Sequence, residues 1–247
     1  MTVAQLPSPA TQAVRDVLRE RALQIAFQPI VQLEDGRVNG YEALARFDRR
    51  HFANPAEAFA AAESAGLGVD LEILAIDQAL LRLGDLPHGA WLSLNASVDA
   101  LLDPRTISLL LAHARHGLTV ELTERTPVAD YTALREVMDL LRAASIKVAI
   151  DDAGSGFANL TQILQIQPDI IKLDIFLTRD IDQDPVRIAL ARALFTFAES
   201  IGAMLVAEGI ETYSEHAQLM ALGVRHGQGY YIAKPGPLPS RHIEPLL

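Results

Sequence analysis

Residues 25–46 read Ile-Ala-Phe-Gln-Pro-Ile-Val-Gln-Leu-Glu-Asp-Gly-Arg-Val-Asn-Gly-Tyr-Glu-Ala-Leu-Ala-Arg. Two apolar segments are separated only by residues 34–37, a length that is typical of a β-hairpin, so the pair is predicted to be antiparallel. The second segment carries a carboxylate at Glu42 and a guanidinium at Arg46. Neither charge belongs in an apolar strand without a partner, which indicates a functional site nearby.

Short apolar segments continue along the chain, and from the third onward they are nearly continuous apolar runs. Such runs are typical of parallel strands whose sheet is covered by helices. The predicted strands are 25–33, 38–46, 90–95, 118–122, 146–150, 170–173, 203–207 and a weaker 224–230. Eight strands with intervening helices in 247 residues predict an α/β fold, a TIM-like (βα)8 barrel with an antiparallel first strand.

Helix signals occupy the stretches between the predicted strands. Asp103 and Asp184 are each followed by Pro and later by Gly, the order expected of an N-cap, a first turn and a helix end. Thr212 and Glu215 have the spacing of a capping box. The other predicted helices are 15–23, two within 55–83 that divide near 66–68, and 126–143.

The two ends of the chain differ from its middle. Residues 1–14 are predicted to be an N-terminal linker, and residues 15–247 a single domain. Four prolines follow the last predicted strand, so no regular closing helix is expected there.

Composition excludes several classes of function. A formal net charge of −10 argues against a nucleic-acid polymer as partner, because such proteins cluster Lys and Arg on one face. No apolar run approaches the roughly 20 residues that span a bilayer, and no secretion signal is present, so membrane insertion is not expected. The absence of cysteine excludes disulfides and thiolate metal sites and favours a cytoplasmic location.

Polar residues recur at the predicted carboxyl ends of the strands, where barrels of this type carry their chemistry. They are Glu42, Asn95, Glu121, Asp151 with Asp152, Lys172, Glu208 and Gln228. Each one alone is more often a helix cap, a turn residue or a salt-bridged side chain. Together, the carboxylates would repel one another by roughly 4 kcal/mol per pair at about 4 Å and an effective dielectric of about 20, so bound cations are expected.

The residue types indicate which cations and which chemistry. Carboxylates with an amide oxygen suit Mg²⁺, Mn²⁺ or Ca²⁺ better than Zn²⁺ or copper. Adjacent Asp151 and Asp152 could serve two ions, and paired ions can clamp the attacking and leaving oxygens of a phosphoryl displacement. Lys172 could hold the attacking water or neutralise charge in the transition state, and Arg46 offers a fork for a phosphate.

In this order, the motifs resemble the EAL-domain phosphodiesterases of bacterial cyclic di-GMP signalling, over about residues 25–235. The segments that carry the resemblance are Gln28-Pro29-Ile30, Glu42-Ala43-Leu44-Ala45-Arg46, Asn95, Glu121-Leu122-Thr123-Glu124, Asp151-Asp152, Lys172-Leu173-Asp174, Glu208-Gly209-Ile210-Glu211 and Gln228-Gly229-Tyr230. The resemblance implies a barrel with an antiparallel first strand and a domain, 15–247, that opens one phosphodiester of cyclic di-GMP to give linear pGpG.

The resemblance also implies roles for individual residues. Two Mg²⁺ or Mn²⁺ ions would be bound by Glu42, Asn95, Glu121, Asp151 and Asp152. The catalytic residues would be Lys172, Glu208 and Gln228, and the substrate contacts Gln28, Leu44, Arg46, Gln228 and Pro235. Glu124 and Glu211 would anchor the loop after Asp152, which in this family couples the site to dimerisation, so a homodimer is expected. A sensor domain, fused or separate, can accompany such a domain. Ala153 stands where the family commonly has a bulky aromatic residue, which puts the packing of that loop in question.

Two other functions stay open at the level of sequence. The first is a receptor that binds cyclic di-GMP without turnover and acts through protein partners, although a pure receptor need not keep every residue of the site. The second is a lyase or isomerase that uses carboxylates, a divalent ion and a lysine for enolate chemistry. The paired aspartates, the asparagine and Arg46 fit phosphodiester hydrolysis better than either alternative.

Overall fold

The computed structural model describes residues 8–122, 130–153 and 163–238, except for the side chains of residues 152 and 153. Within these ranges eight strands close into one barrel in chain order. They are β1 (Gln24–Gln32), β2 (Val38–Arg46), β3 (Trp91–Ala96), β4 (Leu118–Leu122), β5 (Lys147–Ala153), β6 (Ile170–Leu173), β7 (Met204–Ala207) and β8 (His226–Gly227). Strand β1 pairs antiparallel with β2 and with β8, while every other neighbouring pair is parallel. The predicted barrel with an antiparallel first strand is therefore confirmed.

Helices lie between most of the strands and cover the outside of the barrel. They are α1 (Pro9–Glu20), α2 (Pro55–Ser64), α3 (Gly68–Leu80), α4 (Val98–Leu102), α5 (Pro104–Ala112), α6 (Tyr131–Ala143), α7 (Ile175–Thr178), α8 (Pro185–Ile201) and α9 (Tyr213–Ala221), with short 3₁₀ turns at Leu83–Asp85 and Ala114–His116. The predicted caps at Asp103 and Asp184 and the capping box at the start of α9 are present. None of the helices in the described ranges is both long enough and apolar enough to span a bilayer.

The predicted start of the first helix and the predicted length of the last strand are wrong. Helix α1 begins at Pro9 and not at residue 15, because Ser8 caps it and Pro9 fits the first turn. Helix α6 begins at Tyr131, and the Asp130 side chain caps it by accepting hydrogen bonds from the backbone N–H groups of Thr132 and Ala133, while residues 126–129 of the predicted helix lie outside the described residues. Strand β8 has two residues where seven were predicted. The short helices α4 and α7 were not predicted, and the extent of the N-terminal linker stays a prediction.

Apolar side chains pack on both sides of the barrel wall. The main core lies between the strands and the outer helices. A second cluster joins α1 to α2 and α3. A small third cluster fills the interior with Ile30, Ala149, Ile170 and Val206, against which Trp91 and Met204 pack. The interior is therefore apolar at this level, and the polar side chains of the candidate site follow further along the same strands.

Candidate active site

The polar side chains of the site lie two residues after the apolar interior side chains on the same strands. Because residues two apart in a strand point to the same face, a residue two positions after an interior side chain also points inward. The successive pairs are Ala149 and Asp151, Ile170 and Lys172, and Val206 and Glu208. Along these parallel strands, the inward-facing side chains therefore change from apolar to charged over two residues.

The ammonium group of Lys172 is the centre of the site. Its Nζ lies 2.6 Å from both Glu121 Oε2 and Glu208 Oε1, and 3.3 Å from both Glu42 Oε2 and Asp151 Oδ1. Lys172 is only 1% exposed, so these carboxylates replace the water that would otherwise surround its charge. The structure thus brings together five of the predicted site residues, which come from five different strands or strand ends.

Two amide side chains complete the arrangement around Glu42. Gln228 Nε2 donates hydrogen bonds to Glu42 Oε2 at 2.6 Å and to Glu208 Oε1 at 2.9 Å. Asn95 Nδ2 donates to Glu42 Oε1 at 3.0 Å. Glu42 therefore accepts hydrogen bonds from Asn95, Gln228 and Lys172, which come from different strands or strand ends and together fix its carboxylate.

The surplus of negative charge shifts the pKa values of the site. Burial and the charge of Glu42 raise the pKa of Glu121 to about 8. Burial and repulsion by Asp151 and Glu42 also raise the pKa of Glu208, although Lys172 acts in the opposite direction. Burial would raise the pKa of Glu42, but Lys172 and the amide hydrogen bonds outweigh it and lower that pKa. Burial would lower the pKa of Lys172, but the surrounding carboxylates raise it well above its ordinary value.

The donor set suits a hard divalent cation. Four carboxylates face one ammonium group, so three negative charges are uncompensated when all are ionised. Asp151 Oδ1 and Gln228 Oε1 are buried and accept no hydrogen bond from a described residue, and Asp151 meets Lys172 only as an ion pair. Within the described ranges no three acidic or histidine side chains surround one metal position. The Asp152 side chain, which was predicted to share both ions, lies outside those ranges. The excess of negative charge and the oxygen donors of the described side chains therefore fit a divalent cation.

A cavity of about 450 Å³ opens beside these residues. Glu42, Asn95 and Asp151 line one side, and Leu44 and Arg46 continue the wall along β2. Arg46 is half-buried, and its Nη1 donates to the carbonyl of Ala45 at 2.9 Å. The opposite wall comes from α2 and α3 and includes Pro55, Phe59, Glu72, Ala75 and Ile76. These helix residues were not predicted to belong to the site, and the two helices inserted between β2 and β3 were the only signal for them.

The remaining predicted residues lie around this centre. Gln28 is paired with Glu42 across β1 and β2, and its Nε2 donates to the Ala233 carbonyl at 3.4 Å. Pro235 precedes Gly236, whose backbone pairs with β1. Among the residues that line the cavity, neither Gln28 nor Pro235 is found.

Of the two predicted loop anchors, the structure describes Glu211 but not Glu124. The carboxylate of Glu211 receives two hydrogen bonds from the guanidinium of Arg179, at 2.5 and 2.7 Å. Glu124 and the loop after Asp152 lie outside the described residues, so the anchoring of that loop stays a prediction.

The chain is similar in sequence to a known family and to named proteins. A family model described as the EAL domain matches residues 11–235. The cyclic di-GMP phosphodiesterase PA2567 of Pseudomonas aeruginosa is 31% identical over 231 residues, which cover 87% of this chain and 39% of that protein. The cyclic di-GMP phosphodiesterase PdeR of Escherichia coli is 30% identical and aligns with 91% of this chain and 35% of its own length. The chain thus spans about two fifths or less of these relatives.

Solved structures show the same fold. The calcium and cyclic di-GMP complex of Klebsiella pneumoniae BlrP1 superposes with a TM-score of 0.77 at 30% identity and covers 96% of this chain and 59% of its own. The EAL domain of Xanthomonas citri FimX, bound to cyclic di-GMP, superposes with a TM-score of 0.83 at 21% identity and covers 95% and 96% of the two chains. The second comparison, at this identity, supports the fold alone.

Proposed function

This chain belongs to the EAL domain family, and on that premise we propose that it hydrolyses cyclic di-GMP to linear pGpG with two bound Mg²⁺ or Mn²⁺ ions. The observation that carries the proposal is the cluster of four carboxylates and two amides around Lys172, at the wall of a cavity of about 450 Å³. Relatives that are named cyclic di-GMP phosphodiesterases support the same reaction. The enolate chemistry considered above has no comparable support.

The cavity is suited to hold a phosphodiester beside the carboxylates. Arg46 lies on its wall together with Glu42 and Asp151, and a guanidinium can bind a phosphate through two parallel hydrogen bonds. Leu44 provides apolar surface on the same wall. We assign the substrate contacts to Leu44, Arg46 and Gln228, with Gln28 and Pro235 beside them.

The same carboxylates would hold the ions. Glu42, Asn95, Glu121 and Asp151 supply oxygen atoms for one ion, and Asp151 with Asp152 for the other. When bound, two such ions stabilise the attacking and leaving oxygens of an in-line displacement. Binding of these ions would therefore also neutralise the uncompensated negative charge of the carboxylates.

Lys172, Glu208 and Gln228 are the catalytic residues of this proposal. Lys172 is surrounded by carboxylates that keep it charged, so it donates hydrogen bonds and holds the water. Glu208, which pairs with Lys172 and accepts a hydrogen bond from Gln228, would accept the proton of that water. The water oxygen forms a bond to phosphorus, the bond from phosphorus to one ribose oxygen breaks, and that oxygen takes up a proton. The product carries a terminal phosphate and a free hydroxyl.

The test is turnover of cyclic di-GMP followed by chromatography. The protein is incubated with cyclic di-GMP and Mg²⁺, Mn²⁺ or Ca²⁺, and we expect pGpG with Mg²⁺ or Mn²⁺ and inhibition by Ca²⁺, which prefers longer and looser coordination. The Glu199→Gln variant is a matched control, because it neutralises an exposed glutamate on the outer helix α8. It should behave as the wild type.

The main alternative is a catalytically silent receptor for cyclic di-GMP. Binding of cyclic di-GMP by calorimetry without any pGpG over hours at micromolar protein would favour the receptor and contradict the hydrolase. The expected homodimer, the cytoplasmic location and the effect of Ala153 stay predictions, which the assay does not depend on.

A further inference from the structure

Glu215 is a buried carboxylate that the reaction above does not use. It is 1% exposed, and its two oxygens accept three backbone hydrogen bonds. The N–H groups of Glu211 and Thr212 donate to Oε2 at 2.8 and 3.0 Å, and the N–H group of Asp180 donates to Oε1 at 3.0 Å. A capping box for helix α9 requires only the bond from Thr212. The capping box therefore does not account for the hydrogen bonds from Glu211 and Asp180.

Those two bonds join two loops at the carboxyl ends of neighbouring strands. Asp180 belongs to the turn after β6 and α7, and Glu211 belongs to the loop between β7 and α9. Asp180 has a φ of 53°, a conformation that is uncommon for a residue with a side chain and that the bond to Glu215 helps to hold. Arg179, the preceding residue, binds the Glu211 carboxylate with both of its terminal nitrogens. The two loops are thus clamped together twice.

The loop held by this clamp carries Glu208. The Glu208 N–H group donates to the carbonyl of the last residue of β6 at 3.1 Å, and the Ile210 N–H group donates to the Gln228 carbonyl at 3.1 Å. Gly209 has a φ of 65°, and a Cβ at that position would lie 2.3 Å from the Ile175 side chain. The backbone of residues 208–212 is therefore fixed by the β6 side, by the Gln228 segment and, from behind, by Glu215.

We propose that Glu215 is a positioning residue for the active site, which holds the Glu208 loop against the loop after β6. Its catalytic meaning rests on the hydrolase function proposed above. Glu208 accepts a hydrogen bond from Gln228 and pairs with Lys172, so a shift of its loop displaces all three groups of the proposed water site. Glu215 acts through the backbone and touches none of the reacting atoms.

The Glu215→Gln variant separates this role from helix capping. The amide oxygen of Gln can still accept the N–H groups of Glu211 and Thr212, which preserves the cap. Its NH₂ group then faces the Asp180 N–H group, donor against donor, so the link between the loops is lost. The matched control is Thr212→Ala, which removes the Thr212 hydroxyl that caps the N–H group of Glu215 but leaves all three bonds to the Glu215 carboxylate.

We expect the two variants to differ in kcat. Glu215→Gln should lower kcat about 10-fold or more, as is typical for outer-shell partners of a metal site, with KM nearly unchanged. Thr212→Ala should lower the unfolding temperature, because a lost cap costs about 1 kcal/mol, and should leave kcat at the wild-type value. If kcat follows the loss of stability equally in both variants, Glu215 is only a structural residue and the proposal is overturned.

Amide hydrogen exchange gives a readout that needs no turnover. In Glu215→Gln, exchange of the backbone N–H groups in residues 208–212 and at Asp180 should become faster than in the wild type under conditions where both proteins stay folded. Unchanged exchange in both loops would overturn the positioning role. Because this measurement is independent of catalysis, a wild-type protein that makes no pGpG contradicts the proposed function without deciding the role of Glu215.

Discussion

The barrel interior has two layers that are chemically opposite. The apolar layer consists of Ile30, Ala149, Ile170 and Val206, and the charged layer of Glu42, Glu121, Asp151, Lys172 and Glu208. Ile170 and Lys172 are neighbours on one face of β6 and are 3% and 1% exposed. Burial at these two positions therefore does not distinguish the layers. What differs is that the charged layer is stable only as a set, because each charge depends on a partner within it.

This difference assigns separate tasks to the two layers. Buried apolar side chains contribute to stability whether or not a ligand is bound. Burial and the excess of carboxylates over the one ammonium group raise the pKa values of Glu121 and Glu208, which costs stability until cations bind, as is common for functional sites. Substitutions in the charged layer should therefore act on activity or on the response to metal, and those in the apolar layer on stability.

The largest effect is expected from Glu42→Ala. Glu42 receives hydrogen bonds from Asn95, Gln228 and Lys172, and it is an assigned ligand of one ion. Losing a required cation site should lower kcat/KM for cyclic di-GMP by at least about 10³-fold. The measurement is the initial rate of pGpG formation, together with titration of Mg²⁺ binding by calorimetry.

The control for this prediction is Glu199→Ala, which removes an exposed carboxylate from α8. It should keep both turnover and metal binding. Near wild-type turnover of Glu42→Ala would show that Glu42 is neither a metal ligand nor a necessary support of Lys172.

Lys172→Met should give the next largest effect, and it is visible in stability. The substitution keeps most of the side-chain volume but removes the charge that four carboxylates share. Removing one partner of a buried ion pair typically costs about 3–5 kcal/mol, so the metal-free variant should unfold at lower denaturant. Saturating Mg²⁺ should restore more stability to this variant than to the wild type, because the ion then supplies the missing positive charge.

Urea unfolding with and without Mg²⁺ measures both effects. A variant that matches the wild type in the absence of metal would mean that the carboxylates are not held by Lys172. The same variant should still bind cyclic di-GMP while it turns the substrate over slowly, and a collapse of binding would make the lysine mainly a ligand contact.

Ile170→Ala tests the apolar layer and should affect stability first. Truncating a buried isoleucine removes apolar contacts and leaves a cavity, which costs about 2–5 kcal/mol. Because Ile170 belongs to the apolar cluster and is assigned neither to the ions nor to the substrate, kcat at low temperature should stay near the wild-type value. Unfolding by urea and steady-state kinetics on the same preparation give the comparison. A loss of activity without a loss of stability would contradict the separation of the two layers.

Much of the fold was predictable because local patterns encode it. The apolar runs and the short connection at residues 34–37 predicted the strands and the antiparallel start, and the Asp–Pro pairs predicted two helix starts. The residue types at the strand ends predicted which side chains would meet. These signals act over a few residues and do not depend on tertiary contacts.

The rest depends on contacts between distant segments. The sequence predicted that the carboxylates and Lys172 lie together at the strand ends. It did not predict the ion pairs of Lys172 with four of them, because these pairs depend on how distant strands meet inside the barrel. The contribution of α2 and α3 to the cavity depends on how two inserted helices fold back over β2. The box formed by Thr212 and Glu215 was visible as a helix cap, but its bond to Asp180 joins residues 35 positions apart.

The smallest effect concerns Glu215, which supports the charged layer from outside. Burial would raise the pKa of Glu215, but three backbone N–H groups and the charge of Arg179 outweigh it and hold that pKa below its ordinary value. A carboxylate with a lowered pKa in the folded state contributes stability above its unfolded pKa of about 4.3, and this contribution is lost as the pH falls through the folded value. The stability difference between wild type and Glu215→Gln should therefore be about 1.5–3 kcal/mol at pH 7, a typical value for a hydrogen bond to a charged group, and should shrink below about pH 4. Arg179, Glu211 and the Asp180 side chain lie near this group, so the same series in an Arg179→Met background separates the carboxylate of Glu215 from that of Glu211. A difference that is constant from pH 7 to pH 3 would mean that Glu215 acts by packing alone, and the clamp behind the charged layer would not depend on its charge.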